Sequence, residues 1–393
     1  MFISGIGVSS TMPQMTLYLT TDLHIPIHLA GLYYLVNLMA PVAAFLVGSL
    51  SERLSNRLFL YRACTIIGAL GWVAMAFATR AWMPFVIGGV VLSVSGGAMG
   101  QLFAATRDEL SRHPTPANNR VIAGVRMAFS AGWIIGPVLG SWFGAAFGLR
   151  TLLLANAGCL LAQLIPLGLR RIERFTVISA PAAASDDQDL SRSGSRGLGR
   201  RSAITPLLIY LGCIVLVMNG DTMKVAFLPL FMADQLHTSD TLRGAVIAMQ
   251  PFAEFLLMPV FARLADKITP IRTLTVAAFL GVCAHIAYAT STGVGGLFLG
   301  QILMSGLWAA IAGLGITVAQ QLQPRRIGLA SSLYSSALPL AGAVGGVISA
   351  FSVGWLGIPR LFFIPACLTA LGFVGLILTS RRFRPDDSAF IRE

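Results

Sequence analysis

Twelve apolar stretches divide the chain, and they restrict its possible folds more than any other feature of the sequence. A bilayer core about 30 Å thick is crossed by roughly 20 apolar residues in a helix. Because lipid offers the backbone no hydrogen-bond partners, such stretches are predicted to be helical. The sequence therefore predicts an all-α integral membrane protein with twelve transmembrane helices. They are expected at residues 1–20, 29–51, 60–79, 83–106, 121–147, 150–169, 204–232, 242–265, 271–290, 295–321, 327–354 and 358–379.

The composition and the distribution of charge support the same fold class. Only 11% of the residues are charged and 55% are hydrophobic, whereas soluble domains carry roughly 25% charged residues. The net charge of +12 could indicate nucleic-acid binding. However, the Lys and Arg residues concentrate in alternate loops, which is the positive-inside pattern of membrane proteins. This pattern predicts that both termini lie in the cytoplasm and that the basic residues contact lipid and not nucleic acid.

The chain contains an internal repeat. Glu52 and Arg53 follow the second apolar stretch, and an acidic and a basic residue occur again 214 residues later, as Asp266 and Lys267. Duplicated halves with a binding site between them are typical of transporters. A stretch rich in Ser, Gly and Arg lies between the halves and reads as a linker. The predicted organisation is a six-helix bundle over 1–169, a cytoplasmic linker over 170–203, a six-helix bundle over 204–380 and a cytoplasmic tail over 381–393.

The first apolar stretch is unusually polar, because it contains Ser9, Ser10, Thr11, Gln14 and Thr16. A helix of this composition is expected to pack on its neighbours or to line a cavity rather than to face lipid. It lacks the basic segment and the cleavage site of a signal peptide. Since no charged residue precedes it, we expect the native protein to begin upstream of Met1.

Four charged residues lie well inside predicted helices rather than near their ends, and a charge costs at least about 2.5–3.5 kcal/mol at mid-depth. Asp221 and Lys224 are three residues apart and can pair on one face, and Glu254 is the only acid in the middle of the eighth stretch. A carboxyl group buried away from water can load and release protons near neutral pH. Asp221 and Glu254 are therefore candidates for proton coupling, with a purely structural ion pair to Lys224 as the alternative for Asp221. Arg126 is a candidate for substrate binding or gating, with a side chain that reaches the membrane surface as the alternative.

Amide and aromatic side chains in the predicted helices favour a polar, uncharged substrate. Amides and carboxylates bind sugar hydroxyls, and aromatic rings cover the C–H faces of a sugar. Each amide taken alone is better explained by a hydrogen bond between helices than by a ligand contact, and only the set as a whole favours such a substrate. The candidate substrate-binding residues are Asn37, Gln101, Arg126, Gln250, Glu254, Gln320 and Tyr334, and Tyr33, Trp133 and Trp308 are further candidates for aromatic contacts.

Two motifs resemble those of the major facilitator superfamily. The segment G-S-L-S-E-R-L-S-N-R, residues 48–57, resembles its signature loop but has Glu52 in place of the usual Asp and Ser55 in place of the second Gly. The fifth stretch contains a G-x-x-x-G-P-x-x-G pattern that resembles the antiporter motif of the superfamily, which is associated with exporters. The residues of this pattern are Gly132, Gly136, Pro137 and Gly140.

These motifs imply conformational roles. The loop charges Glu52 and Arg53, near Gly48, and their counterparts Asp266 and Lys267 are predicted to form a charge latch that closes in one of two states. Ordinary charges that set the membrane orientation are the alternative. The glycines and the proline of the fifth stretch are predicted to let helices approach closely and bend, and thereby to shape the exit conformation.

A closer resemblance, to the sugar efflux transporter family, extends over almost the whole chain. It implies alternating access between the two halves and proton-driven export of a sugar or a sugar-like small molecule. The segments that carry it are P-Q-M-T-L-Y-L (13–19), G-L-Y-Y-L-V-N (31–37), Q-L-F-A-A-T-R-D-E (101–109), V-R-M-A-F-S-A-G-W-I-I-G-P (125–137), L-P-L-F-M-A-D-Q-L (228–236) and G-I-T-V-A-Q-Q-L-Q-P-R-R-I-G-L-A-S-S-L-Y (315–334).

Two other functions, a multidrug exporter and a membrane sensor, remain open on the sequence, whereas an enzyme is not supported. A multidrug exporter of the same superfamily would favour a larger and more aromatic cavity. An intramembrane enzyme would need a motif such as H-E-x-x-H or G-x-S-x-G, and neither is present. A membrane sensor built on this fold would share every motif.

No nucleotide-binding loop is present, and no cofactor or metal is expected. The default expectation for the oligomeric state is a monomer.

Overall fold

The structure is a computed structural model that describes residues 1–54, 56–112, 118–167 and 197–382. This part of the chain is helical, without strands, and forms twelve helical segments, labelled α1 to α12. The N-terminal half contains α1 (Phe2–Thr11, Met12–Gln14 and Met15–Thr21), α2 (Ile27–Leu32, Tyr33–Leu38 and Met39–Arg53), α3 (Arg57–Ala76), α4 (Met83–Val86, Ile87–Leu92 and Ser93–Arg112), α5 (Asn118–Phe147) and α6 (Leu149–Ala162 and Ile165–Leu167). The C-terminal half contains α7 (Gly197–Asp234), α8 (Asp240–Ile268), α9 (Pro270–Ala289), α10 (Val294–Leu322), α11 (Ile327–Leu356) and α12 (Arg360–Phe362 and Phe363–Arg382).

The outer surface of the helices is apolar, as lipid requires. Within the described residues, nine helices are long and apolar enough to cross a membrane. Large hydrophobic side chains point outward along these helices, among them Phe45 at 74% and Phe351 at 71% relative exposure. The prediction of a twelve-helix integral membrane protein is confirmed.

Several predicted boundaries were wrong, because helices continue past the bilayer core. A loop was expected from Arg107, but α4 continues as a helix to Arg112. Glu52 and Arg53 lie in the last turn of α2, and Asp266 and Lys267 in the last turn of α8, rather than in loops. A helix can continue into the headgroup region, where charges are tolerated, and keep its backbone hydrogen bonds satisfied. Hydropathy alone therefore predicts the helix end too early.

The linker between the halves is described only at its C-terminal end. Helix α7 begins at Gly197, seven residues before the predicted start of the second bundle. The remainder of the predicted linker and most of the predicted tail, residues 383–393, lie outside the described residues. The boundaries proposed for the two bundles therefore stay a prediction.

Helices α1 and α5 pack with their backbones in contact. A Cβ atom at Gly132 would lie 2.6 Å from the carbonyl oxygen of Phe2, and the Ser9 hydroxyl donates a hydrogen bond of 3.1 Å to the carbonyl oxygen of Gly132. Gly136 and Gly140 continue the same face at four-residue spacing and also meet α1. Small residues at this spacing allow membrane helices to approach closely. These contacts are consistent with the predicted close packing of the glycines, and their conformational role, including their effect on the exit conformation, stays a prediction.

The polar residues of α1 are buried inside the N-terminal half. Thr11 is fully buried and accepts a hydrogen bond of 3.0 Å from the Asn156 amide of α6. The Gln14 amide donates one of 2.9 Å to the Ser141 hydroxyl of α5. The prediction that this helix packs on its neighbours is confirmed. These bonds satisfy polar groups that would be costly in lipid.

The two halves contact each other at the end of the molecule opposite the chain termini. At the start of α2, a Cβ atom on Gly31 would lie 3.1 Å from the Ser349 hydroxyl near the end of α11. At the start of α8, a Cβ atom on Gly244 would lie 2.7 Å from the Cα atom of Val138 in α5. The structure is therefore a conformation in which this end is closed.

We expect cysteines introduced at Gly31 and Ser349 to cross-link rapidly, because the two positions are in van der Waals contact. The five native cysteines are replaced by alanine, and a protease site inserted in the predicted linker allows linked halves to be recognised on a gel. Gly31→Cys paired with Gly158→Cys is the control, since Gly158 lies on α6 and faces open space. Equal cross-linking of both pairs, or of neither, would contradict the closed conformation.

Candidate transport site

A cavity of about 730 Å³ lies between the two halves. Its volume is within the range of about 300–1,000 Å³ that is usual for small-molecule sites. It extends toward the end of the molecule that carries the chain termini, where Phe103 of α4, Met127 of α5 and Met258 of α8 contribute to its walls. Most of its lining is apolar, and its charged groups come from α7 and α8.

Five side chains from α7, α8 and α10 form a charged cluster on the wall of this cavity. We define it as Asp221, Lys224, Gln250, Glu254 and Trp308. The Lys224 ammonium donates a hydrogen bond of 2.6 Å to Asp221 and another to the side-chain oxygen of Gln250. The Trp308 indole donates one of 2.8 Å to the same Asp221 oxygen. Lys224 is thus held by two acceptors, and its side chain is only 6% exposed.

Helix periodicity places these groups on one surface. Asp221 and Lys224 are three residues apart on α7, and Gln250 and Glu254 are four apart on α8, so each pair lies on one helix face. The Lys224–Gln250 bond joins the two faces across the helix contact. Glu254 lies one turn further along α8, is only partly buried and lines the cavity. The cluster therefore offers two carboxyl groups, one ammonium and one amide to a bound molecule.

Two tryptophans flank the cluster from opposite halves. Trp133 of α5 and Trp308 of α10 both line the cavity. Among the described residues, the buried indole nitrogen of Trp133 has no hydrogen-bond partner. A buried donor without a partner is costly. The predicted aromatic contribution of these two side chains is consistent with their position.

Three of the predicted substrate-binding residues lie elsewhere, in contacts between helices. Gln101 accepts a hydrogen bond of 2.5 Å from the Ser51 hydroxyl. Gln320 donates one of 2.9 Å to Ser331. Tyr334 is buried and donates one of 3.0 Å to the carbonyl oxygen of Ile311. The structure does not bring these three to the walls of the cavity, and their contacts match the helix–helix alternative.

The remaining predicted residues are distributed over other regions. Asn37 lines a separate cavity inside the N-terminal half. Arg126 lies on α5 and Glu52 on α2, and both side chains fall outside the described atoms. Arg53, Asp266 and Lys267 are exposed, and the structure as described shows no ion pair for any of them. The charge latch near Gly48 therefore stays a prediction.

Sequence reasoning missed the bond between Lys224 and Gln250. Lys224 was expected to pair with Asp221 alone, whereas Gln250 shares it. The four-residue spacing of Gln250 and Glu254 was a usable signal, because it predicts one polar face on α8. Gln301 was also missed: it lines the cavity, accepts a hydrogen bond of 2.7 Å from Tyr288 and donates one of 3.0 Å to the carbonyl oxygen of Val246.

Two six-helix halves that enclose a cavity with charged groups at their interface define a multi-pass membrane transporter. The family model of the Major Facilitator Superfamily matches residues 1–217 and 209–392. The chain therefore belongs to this superfamily, as the two sequence motifs indicated. Its members and the relatives of this chain are transporters rather than enzymes.

Named relatives and a solved structure are similar over nearly the whole chain. Sugar efflux transporter B of Salmonella typhimurium is 23% identical over 94% of this chain and 93% of its own length. Multidrug resistance protein MdtG of Proteus mirabilis is 23% identical over 98% of this chain and 94% of its own length. A crystal structure of the nucleoside transporter NupG aligns with a TM-score of 0.72 at 14% identity and covers 98% of this chain and 97% of that one. This last similarity concerns the fold alone.

Proposed function

We propose that this protein exports sugars or sugar-like small molecules across the bacterial inner membrane in exchange for protons, with both termini in the cytoplasm. The observation that carries the proposal is the charged cluster on the wall of the cavity between the halves. Relatives of similar length are named sugar efflux transporters. The distribution of Lys and Arg supports the orientation. With that orientation, the closed end of the structure faces away from the cytoplasm.

The charged cluster has the hydrogen-bond donors and acceptors that can bind the hydroxyl groups of a sugar. Sugar hydroxyls can donate hydrogen bonds to Glu254 and accept them from Lys224, while Gln250 is near enough to contribute its amide. Trp133 and Trp308 provide flat surfaces for the C–H faces of a ring. Such a mixture of aromatic faces and convergent polar groups is typical of sites for small polar molecules.

Charge balance links sugar movement to proton movement. Asp221 and Lys224 neutralise each other, so the net charge of the cluster depends on Glu254. Closing the cavity around an ionised Glu254 without a ligand would bury an uncompensated charge, which is strongly unfavourable. A proton on Glu254, or a sugar that donates hydrogen bonds to it, removes this obstacle. The halves can then change conformation with either a proton or a sugar bound, but not with the site empty. This is the condition for exchange of sugar against protons.

Proteoliposomes with an acidic lumen test the proposal. Purified protein is reconstituted, and uptake of labelled maltose is compared with uptake of a cationic dye. Protons leaving the lumen are expected to drive accumulation of the sugar above its external concentration, and a protonophore should abolish it. Absence of sugar movement in wild-type vesicles would overturn the proposal.

The substitution Glu254→Gln is expected to separate exchange from proton coupling, because an amide imitates the protonated acid and cannot titrate. Exchange of labelled for unlabelled maltose should stay within about threefold of wild type, since the amide still forms hydrogen bonds. Gradient-driven accumulation should fall to the equilibrium level. Glu254→Asp is the matched control and should retain accumulation. If Glu254→Gln accumulated maltose to the wild-type level, Glu254 would not be the proton-coupling residue.

Export of larger apolar compounds is the second candidate function. Four methionines line the cavity, Met12, Met99, Met127 and Met258, and flexible methionine surfaces suit promiscuous binding. A relative of similar length is named a multidrug resistance protein. Gradient-driven movement of the cationic dye without movement of maltose would favour this function.

A further inference from the structure

A second cavity lies entirely within the N-terminal half. It has a volume of about 400 Å³ and is enclosed by α1, α2, α3 and α4, with Phe129 of α5 and Leu160 of α6 at its sides. The charged cluster contributes nothing to its walls. The motifs and the coupling step described above make no use of it.

Two helices leave α-helical geometry where they border this cavity. Residues Tyr33–Leu38 of α2 form a 3₁₀ helix, and Ile87–Leu92 of α4 form a π-helical segment. The two irregular segments meet, since a Cβ atom on Gly88 would lie 3.0 Å from the Tyr33 hydroxyl. Such interruptions within helices are frequent at functional sites. Their coincidence at one cavity indicates a built site rather than a packing fault.

The lining of this cavity is aromatic and polar but carries no charged side chain among the described residues. Tyr33, Tyr61 and Trp72 present ring surfaces. The amides of Asn37 and Gln163 also line it, and within the described structure neither side chain is committed to a hydrogen bond. Uncommitted amides beside aromatic faces suit a neutral ring that carries hydroxyl groups.

The two cavities adjoin, because Met12, Met99 and Phe129 line both. Resting on the proposed sugar transport, we propose that the N-terminal cavity is a second subsite, which holds the second ring of a two-ring sugar while the first ring stays at the charged cluster. A single-ring sugar needs only the charged cluster. The subsite therefore determines preference for disaccharides over monosaccharides.

The substitution Gly96→Leu fills the subsite without a backbone clash. Gly96 lines the N-terminal cavity, and a Cβ atom there meets nothing within 4 Å among the described residues. Binding of glucose and of maltose to the purified, full-length protein is measured by titration calorimetry. Maltose affinity is expected to fall about tenfold or more, as expected for blocking a ring-sized pocket, while glucose affinity stays unchanged. An equal change for both sugars, or none for maltose, would overturn the subsite.

Two further variants distinguish a specific effect on the subsite from a general loss of folding. Gly158→Leu makes the same change on α6, where the position faces open space outside both cavities, and should leave both affinities unchanged. Asn37→Ala removes an amide without adding volume and should weaken maltose alone, by about threefold to tenfold. Equal weakening of glucose and maltose by Asn37→Ala would also overturn the subsite. If the wild-type protein binds neither sugar, the proposed function itself fails and the subsite fails with it.

Discussion

Replacing Asp221 by asparagine is expected to abolish sugar transport and to destabilise the folded protein. The Lys224 side chain is 6% exposed, and its ammonium group would lose its only carboxylate partner within the described residues. Removing one member of a buried ion pair costs about 3–5 kcal/mol, because the other charge stays buried. We expect the free energy of unfolding to fall by about 3 kcal/mol, the lower end of that range, because 22% of the Asp221 side chain is exposed. Thermal unfolding in detergent and maltose flux in proteoliposomes measure the two effects.

The double substitution Asp221→Asn with Lys224→Gln is the matched control. It removes both charges and leaves no unpaired ion, so stability should return to within about 1 kcal/mol of wild type. Transport should stay absent, because the cluster has lost its ammonium group. Full transport by the double variant would show that the pair is only structural. Unchanged stability of Asp221→Asn would show that Lys224 is better solvated than the structure indicates.

Replacing Gly132 by valine is expected to prevent correct assembly of the N-terminal half. A Cβ atom at this position would lie 2.7 Å from the backbone nitrogen of Ile6 and 2.8 Å from the carbonyl carbon of Gly5. Both neighbours are backbone atoms of α1, which cannot rotate away as a side chain would. Overpacking costs about 1–3 kcal/mol when side chains can adjust, and more when they cannot. We expect little folded protein in the membrane and an altered elution volume by size-exclusion chromatography.

Gly124→Val tests whether this effect depends on position. Gly124 is on the same helix, α5, but a Cβ atom there meets nothing within 4 Å in the described part of the chain. Its substitution should leave expression and elution unchanged. Comparable losses for both variants would show that α5 tolerates no β-branched residue for reasons unrelated to the contact with α1.

The architecture was predictable because it depends on properties that are local in sequence. Length, hydropathy and the distribution of charge determine how many helices cross a membrane. The pairing of Asp221 with Lys224 follows from their spacing, and the burial of Thr11 and Gln14 follows from the cost of exposing polar groups to lipid. Helix ends were less predictable, as Arg112 shows, because helices extend beyond the apolar core.

Which residues line the cavity was only partly predictable, because this depends on how each helix is rotated about its axis relative to its neighbours. Gln101 and Gln250 are both amides in apolar helices, yet one bonds to Ser51 between helices and the other lines the cavity. Hydropathy does not distinguish these two environments. The π-helical segment Ile87–Leu92 has no sequence signature that we recognised, so the cavity in the N-terminal half was not foreseen.

The direction of proton movement during sugar movement tests the proposed coupling most directly. Proteoliposomes with a pH-sensitive dye in a weakly buffered lumen are prepared without a pH gradient, with potassium and valinomycin to prevent a membrane potential. Maltose is then added outside. Exchange predicts that protons leave as maltose enters, so the luminal pH should rise in wild-type vesicles and stay constant with Glu254→Gln. A fall in luminal pH would show that sugar and protons move together, and an unchanged pH during measured maltose uptake would show that transport is not coupled to protons.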